Sequence, residues 1–263
     1  MTHPLEHVLL DIEGTTCPVS FVSTVLFPYA AKQVGAYLER HEQEQDIQKL
    51  LAELLLAWRS EESSETRQLL QQATVVEGVS TEQTKEATTV VPASSTVLPY
   101  IAWLIRNDRK LTAWKDLQGR IWEAGYAQGE LKAELFPDVA GCLRKWKHRG
   151  LNLSVYSSGS VAAQKLLYGH STDGDLQDLF SHWFDTRIGA KQERKSYRAI
   201  LDVLGCSPER VIFISDALQE LRAADAAGMQ VVFSDRPGNP EHDNGGYRSI
   251  RSLDELTTRL HAI

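Results

Sequence analysis

The apolar run His7-Val8-Leu9-Leu10 stops abruptly at Asp11-Ile12-Glu13-Gly14-Thr15-Thr16, and this junction constrains the fold more than any other stretch of the chain. A hydrophobic strand that ends in two carboxylates, a glycine and two hydroxyls puts acidic groups at the carboxyl edge of a sheet. Open α/β folds bind their ligands at that edge. One residue separates Asp11 from Glu13, and Gly14 lets the backbone turn where a side chain would obstruct it. Such a cluster can hold a hard cation such as Mg2+, which takes oxygen ligands and keeps several of its waters. It can also supply a carboxylate nucleophile and a carboxyl acid/base to one phosphate. Taken alone, the same residues also suit a helix start with Asp11 as the N-cap.

Further strand-like runs follow at Leu151–Tyr156, Val211–Ile214 and Met229–Phe233. Helical patterns separate them, which predicts βαβ units and a parallel sheet. Val139–His148 carries Val139, Cys142, Leu143 and Trp146 on one helical face, with Gly150 as the stop. Gln219–Ala227 is Ala-rich, and Gly228 stands where a helix C-cap is expected. From about Val19 to about Leu135 the strand signals fade and amphipathic helical ones dominate. Examples are Ile47–Trp58, Tyr100–Ile105 after Pro99, and Leu117–Trp122. Glu61–Ser95, rich in Ser, Thr, Glu and Gln, reads as part helix and part connection. The expected architecture is an α/β core of residues 1–18 plus 136–263, with a helical insertion of residues 19–135 after the first strand.

Three strand ends carry chemistry. The first is Asp11. The second is Ser157-Ser158-Gly159-Ser160, which opens the helical pattern Val161–Leu167; such a turn offers hydroxyls and unpaired backbone N–H groups to an anion. Ser160 also suits a plain N-cap. The third is Ser215-Asp216, with Glu220 four residues on. Asp216 can complete an oxygen-rich metal site with Asp11, or it can simply cap the following helix. Between the second and third lies Arg187-Ile188-Gly189-Ala190-Lys191. A lysine brought close by a Gly-Ala pair supplies a compact positive charge to a phosphate, whereas Lys195 reads as solvent-facing. In a parallel sheet these ends share one edge, which brings together a nucleophile, a hydroxyl, a lysine and a metal, the parts that phosphoryl transfer uses.

Composition narrows the alternatives. The 263 residues suit one large domain or a core with a sizeable insertion. A formal charge of −7 argues against a general nucleic-acid binder. No run is long and apolar enough to span a bilayer, and no signal peptide is evident, so no membrane partner is expected. Cys17, Cys142 and Cys206 give neither a disulfide framework nor metal-ligand spacing, which fits a reducing cytoplasm. Cys17 lies near the first motif, but no basic neighbour in sequence activates its thiol, so packing is its expected role.

The joint pattern of Asp11-x-Glu13-Gly14-Thr15, Ser157-Ser158-Gly159, Lys191 and Ser215-Asp216-x3-Glu220 resembles the haloacid dehalogenase superfamily, many of whose members are Mg2+-dependent phosphatases. Glu13 stands where the common phosphatase form has a second Asp. That departure is similar to the signature of the methionine-salvage enolase-phosphatases (acireductone synthases). So are Leu117–Trp122, Gly125-Tyr126, Tyr156–Leu167, Phe184–Lys191 and Arg236-Pro237-Gly238-Asn239. The resemblance spans nearly the whole chain and is weakest in Glu61–Ser95. It implies a Rossmann-like haloacid dehalogenase core with a helical cap inserted after the first strand. It also implies the reaction: enolisation of 2,3-diketo-5-methylthiopentyl-1-phosphate, then removal of phosphate to release an acireductone. The implied roles are Asp11 as nucleophile and metal ligand, and Glu13 as acid/base, with its backbone carbonyl on the metal. Asp216 is the remaining metal ligand. Ser157, Ser158 and Lys191 bind phosphate or substrate, and Glu220 stands behind the metal ligands. One Mg2+ per subunit, a small phosphorylated diketone as substrate, no nucleic acid and a monomeric state complete the expectation. Trp114, Lys115 and Gln118 are placed in the cap, either over the methylthio tail or in plain structural roles.

Overall fold

All four side chains of β1 (His7–Leu10) are buried, as expected of a strand covered on both faces. The computed structural model describes residues 4–76 and 93–257. In it β1 lies between β2 (Asn152–Tyr156) and β4 (Val211–Ser215). Outside these run β3 (Phe180–Phe184), β5 (Gln230–Ser234) and β6 (Ser249–Ile250). The six strands are ordered β3-β2-β1-β4-β5-β6 and every neighbouring pair is parallel. The winding direction therefore reverses between β1 and β4, the crevice where ligands bind in doubly wound sheets. Leu10 lies level with Val155 on one side and Ile214 on the other. Asp11, Ser157 and Asp216 consequently leave the sheet at one edge, within two residues of each other in register.

The four strands read from the sequence are β1, β2, β4 and β5. The edge strands β3 and β6 are additional. In β3, Ser181 is exposed and His182 and Trp183 are only half-buried, so no continuous apolar run marks it. β6 has two residues, too few for any periodicity. The short segment α1 (Val19–Phe21) follows the first motif and passes through a π-helical stretch, Val22–Leu26.

The chain forms two compact units: one reaches Val25 and resumes at Tyr126, and the other is Leu26–Gly125. The sequence reading set the change of character at residues 19 and 135; residues 19–25 and 126–135 sit with the sheet. The second unit is built from α2 (Phe27–His41), α3 (Gln45–Ser60), α4 (Ser64–Val76), α5 (Ser94–Arg106) and α6 (Thr112–Ala127). Its own core gathers Leu38, Ile47, Leu51, Leu54, Trp58, Val97, Tyr100, Trp114 and Leu117. Trp58 stacks on Tyr100 with centroids 5.3 Å apart, and its Nε1 donates to Thr66 O at 3.0 Å. Trp114 and Gln118 are buried and Lys115 is exposed. Pro99 lies inside α5 rather than ahead of it. Its ring lacks an N–H, and burial of Val97, Tyr100, Ile101 and Leu104 carries the helix through. Of Glu61–Ser95, the helices α4 and α5 take both ends, and residues 77–92 lie outside the described chain.

The remaining helices connect the sheet: α7 (Val139–His148), α8 (Val161–Gly169), α9 (Arg194–Leu204), α10 (Leu218–Ala226) and α11 (Asp254–Thr257). Gly228, just past α10, has φ +96°, as a helix-terminating glycine should. No helix among the described residues is long and apolar enough to cross a membrane.

The helical unit offers a direct stability test. Leu51 is fully buried in its core, so Leu51→Ala is expected to cost about 2–5 kcal/mol. Urea denaturation followed by tryptophan fluorescence measures this, and an unchanged midpoint would contradict the packing described.

Candidate active site

Asp11 leaves β1 still tied to the sheet, its N–H donating to Ile214 O at 3.0 Å. The chain then folds tightly over one carbonyl. Thr15, Thr16 and Cys17 all donate backbone N–H groups to Ile12 O, at 3.1, 2.9 and 2.9 Å. Asp11 is thus the end of a strand, not the cap of a helix. Gly14 turns with φ +71°, a conformation that disfavours a side chain. A Cβ there would overlap the Asp216 carboxylate, so the absence of a side chain makes a cradle in which Asp216 sits against the loop that follows Asp11. Asp216 makes no helix cap, because α10 begins after Ala217 and has no side-chain cap. Glu13 is half-buried, and its backbone pairs with Cys17 in a short parallel bridge.

Lys191 enters this edge from the loop after β3. Its Nζ lies 2.5 Å from Asp11 Oδ1 and 2.7 Å from Glu220 Oε2, with the side chain 9% exposed. Glu220 therefore touches the lysine directly. It is held in turn by Ser215, whose Oγ donates to Glu220 Oε2 at 2.9 Å and accepts from Ala217 N at 3.1 Å. Burial alone would lower the Lys191 pKa, but Asp11 and Glu220 outweigh it and hold the ammonium charged well above the usual lysine range. The carboxylates respond in the opposite sense. Burial, then the charges of Asp11 and Glu220, push Asp216 up to about 7. Burial and Asp11 push Glu220 up to about 7, against the pull of Lys191.

Three carboxylates thus interact around a single ammonium, and the surplus negative charge is what a divalent cation would neutralise. Among the described residues no three His, Cys, Asp or Glu side chains form a cage for a metal ion. Two carboxylates, Asp11 and Asp216, with backbone oxygen and water match the sparse protein coordination typical of Mg2+. The donor set therefore fits that ion.

Ser157 is buried and Ser158 exposed. Ser157 N donates to Phe184 O at 3.2 Å, and its Oγ accepts from Gly159 N at 3.2 Å. Ser160 is the N-cap of α8, accepting from Ala163 N at 3.2 Å. Asp185 ties this turn to the lysine loop: its carboxylate accepts from Val161 N at 3.3 Å and Arg187 N at 2.9 Å. Gln164 Nε2 adds bonds to Gly159 O and Phe184 O, both at 2.8 Å. Lys195 points to solvent beside Glu193. Cys17 is fully buried, and burial followed by Glu13 and Glu134 raises its thiol, so the residue packs and stays protonated.

Sequence reasoning missed the groups behind the loop that follows Asp11. Asn239 Nδ2 and Ser234 Oγ both donate to Gly14 O, at 2.9 and 3.0 Å. Arg236 Nε donates to Thr15 O at 3.2 Å, and Phe136 N donates to Thr16 O at 3.0 Å. Arg236 also forms a bidentate pair with Asp138, both bonds 2.8 Å. Burial alone would raise Asp138, but Arg236 and Leu253 N–H hold it below the usual carboxylate range. Thr16 Oγ1 shares a 2.7 Å bond with the hydroxyl of buried Tyr168. Arg236 and Asn239 belong to a segment whose resemblance was visible in the sequence; their task was not, because a residue that holds a carbonyl leaves no spacing rule.

Comparison with known proteins adds the following. Residues 5–228 match the haloacid dehalogenase-like hydrolases. Enolase-phosphatase E1 of Synechococcus sp. strain CC9605 is 46% identical over 257 residues, covering 98% of both chains. Enolase-phosphatase E1 of Danio rerio is 42% identical over 251 residues, covering 94% of this chain and 93% of that one. Among solved structures, the UTR4 protein of Saccharomyces cerevisiae superimposes with a TM-score of 0.68 at 29% identity, over 94% of this chain and 98% of that one. CbbY of Rhodobacter sphaeroides shares the fold, with a TM-score of 0.54 at 18% identity over 96% of both chains.

Raised carboxylates would make cation binding at this edge pH-dependent. Burial and the neighbouring carboxylates push Asp216 up to about 7. A cation held by Asp216 would displace its proton, so Mg2+ affinity is expected to rise as pH climbs through that range. Titration calorimetry at pH 6 and pH 8 is expected to show tighter binding at pH 8, with proton release at pH 6; equal affinity at both would contradict the assignment.

Proposed function

The chain belongs to the haloacid dehalogenase-like hydrolases and, within them, to the enolase-phosphatases of the E1 type, and on that footing we propose how its residues divide the work. The reaction is that of an acireductone synthase in methionine salvage. It enolises 2,3-diketo-5-methylthiopentyl-1-phosphate and then hydrolyses the phosphate ester to acireductone and phosphate. The observation that carries the division of labour is the Lys191 ammonium lodged between Asp11 and Glu220 at the strand edge.

In the phosphatase step a carboxylate must approach an anionic phosphate. Two like unit charges about 4 Å apart repel by about 4 kcal/mol at an effective dielectric of about 20. Lys191 offsets that repulsion from within the site and takes the phosphate oxygens with its donors. Asp11 attacks phosphorus, and the bond to the enol oxygen breaks. That oxygen takes the proton carried by Glu13. The Glu13 carboxylate then removes a proton from water, which attacks the aspartyl phosphate and restores Asp11. Ser157 and Ser158 hold phosphate oxygens through hydroxyl and backbone N–H groups of the turn that opens α8. Asp11 and Asp216, with the Glu13 carbonyl, would hold Mg2+. Bound there, the ion supplies charge neutralisation to the phosphate and to the oxygen that becomes negative on enolisation. Glu220 orients Lys191.

The helical unit serves as the cap. Cytoplasmic residence is supported by three free thiols. A monomeric state is supported by the few large apolar side chains exposed among the described residues, Val25, Phe27, Leu56, Ile105 and Val203.

Enol absorbance and inorganic phosphate, followed together with the diketo phosphate and Mg2+, test these roles. Asp11→Asn is expected to abolish phosphate release; release at the normal rate would remove Asp11 as nucleophile. Glu13→Gln should slow it by roughly 10²–10⁴-fold, the usual worth of a positioned acid/base. Chelation of divalent metal should stop turnover, and full activity in excess chelator would refute the Asp11/Asp216 site.

A further inference from the structure

Gly189, Ala190 and Lys191 present three consecutive carbonyl oxygens, and each accepts a hydrogen bond from a different side-chain hydroxyl. Tyr156 donates to Gly189 O at 3.0 Å, Ser196 to Ala190 O at 2.7 Å, and Tyr197 to Lys191 O at 2.7 Å. Tyr156 ends β2, and Ser196 and Tyr197 lie in the first turn of α9. All three residues are fully buried. The loop is moulded to them: Gly189 has φ +144°, and a methyl group there would run into Ser196 Oγ. The rings also brace each other. Tyr156 and Tyr197 meet edge-on at 5.5 Å, and Tyr197 packs on Phe213 at 5.2 Å. The Tyr156 ring lies 5.7 Å from Lys191 Nζ.

Packing alone asks only for the rings, and phenylalanine would fill the same space. A buried hydroxyl is costly unless it bonds, and here both tyrosine hydroxyls are spent on the loop that carries the lysine. A lysine stem is flexible and rich in rotamers. With its backbone carbonyl held at one end and its ammonium held by Asp11 and Glu220 at the other, that freedom is removed before substrate arrives. A charge held in place ahead of reaction needs no reorganisation in the transition state.

We propose that Tyr197, with Tyr156 and Ser196, is a positioning residue for Lys191: the three hydroxyls clamp carbonyls 189–191 and so set the ammonium for phosphate transfer. The proposal rests on the role given to Lys191 above. The test uses the full chain with Mg2+ and the diketo phosphate, following phosphate release by Tyr197→Phe, Lys191→Met and the double variant. Single turnovers with enzyme in excess capture slow rates.

Tyr197→Phe should slow phosphate release about tenfold, the worth of one hydrogen bond of about 1.4 kcal/mol. In the Lys191→Met background the same change should matter less than about twofold, because residues that act as a unit are not additive. Equal losses in both backgrounds would mean general damage, and no loss in Tyr197→Phe would mean no role; either outcome overturns the clamp. Full activity of Lys191→Met would instead overturn the role of the lysine itself. Should Tyr197→Phe fail to fold, Tyr156→Phe enters the same cycle with the same expected outcomes.

Discussion

The molecule is organised around one buried ammonium that faces more negative charge than it can balance. Lys191 pairs with Asp11 and Glu220 at 2.5 and 2.7 Å, while Asp216 stands close enough to feel both carboxylates. Burying charge costs free energy unless it is paired and hydrogen-bonded. Here the pairing is incomplete, and burial, reinforced by the neighbouring carboxylates, pushes Asp216 and Glu220 up to about 7. An edge with such a deficit of positive charge suits a divalent cation. The same carboxylates keep Lys191 charged.

Such a site needs a stiff support. Behind the loop that follows Asp11 the carbonyls of Gly14, Thr15 and Thr16 are all taken, by Asn239 and Ser234, by Arg236, and by Phe136 N–H. Arg236 belongs to a second buried ion pair of a different kind. Its bidentate contact with Asp138 is balanced, and it lies against the Phe136 ring at 4.6 Å. The balanced pair holds the backbone, and the unbalanced cluster faces the sheet edge where ligands bind in such folds. The parallel sheet allows both to meet on one short loop.

What could be read from the sequence follows the same division. Strand ends were legible because a buried parallel strand needs a continuous apolar run, and Leu10, Tyr156 and Ile214 each close one beside a polar residue. Asp11, Lys191 and Asp216 were therefore placed at one edge without coordinates, and Glu220 was found by its spacing alone, although its direct grip on Lys191 was not. β3 escaped because an edge strand with Ser181, His182 and Trp183 carries no such run. Arg236, Asp138, Asn239, Tyr168 and Tyr197 escaped for another reason. Each acts by reaching a carbonyl or hydroxyl far away in sequence, and a tyrosine in an amphipathic helix reads as core whether or not its hydroxyl is used. Pro99 misled in a milder way, since a helix with a strong apolar face tolerates a proline that the local rule would place at its start.

The position of β1 has a consequence for how the chain is made. Its two neighbours are residues 152–155 and 211–214, so the strand that leads into Asp11 can find neither partner until most of these residues are made. Between β1 and its first partner the helices of Leu26–Gly125 are synthesised with their own core. Pairings between distant segments form slowly and expose strand edges meanwhile. An insertion rich in local helical contacts gives the nascent chain something to fold while its central strand is still alone. The length of the insertion is thus also a delay before the edge that holds Asp11 can close against β2 and β4.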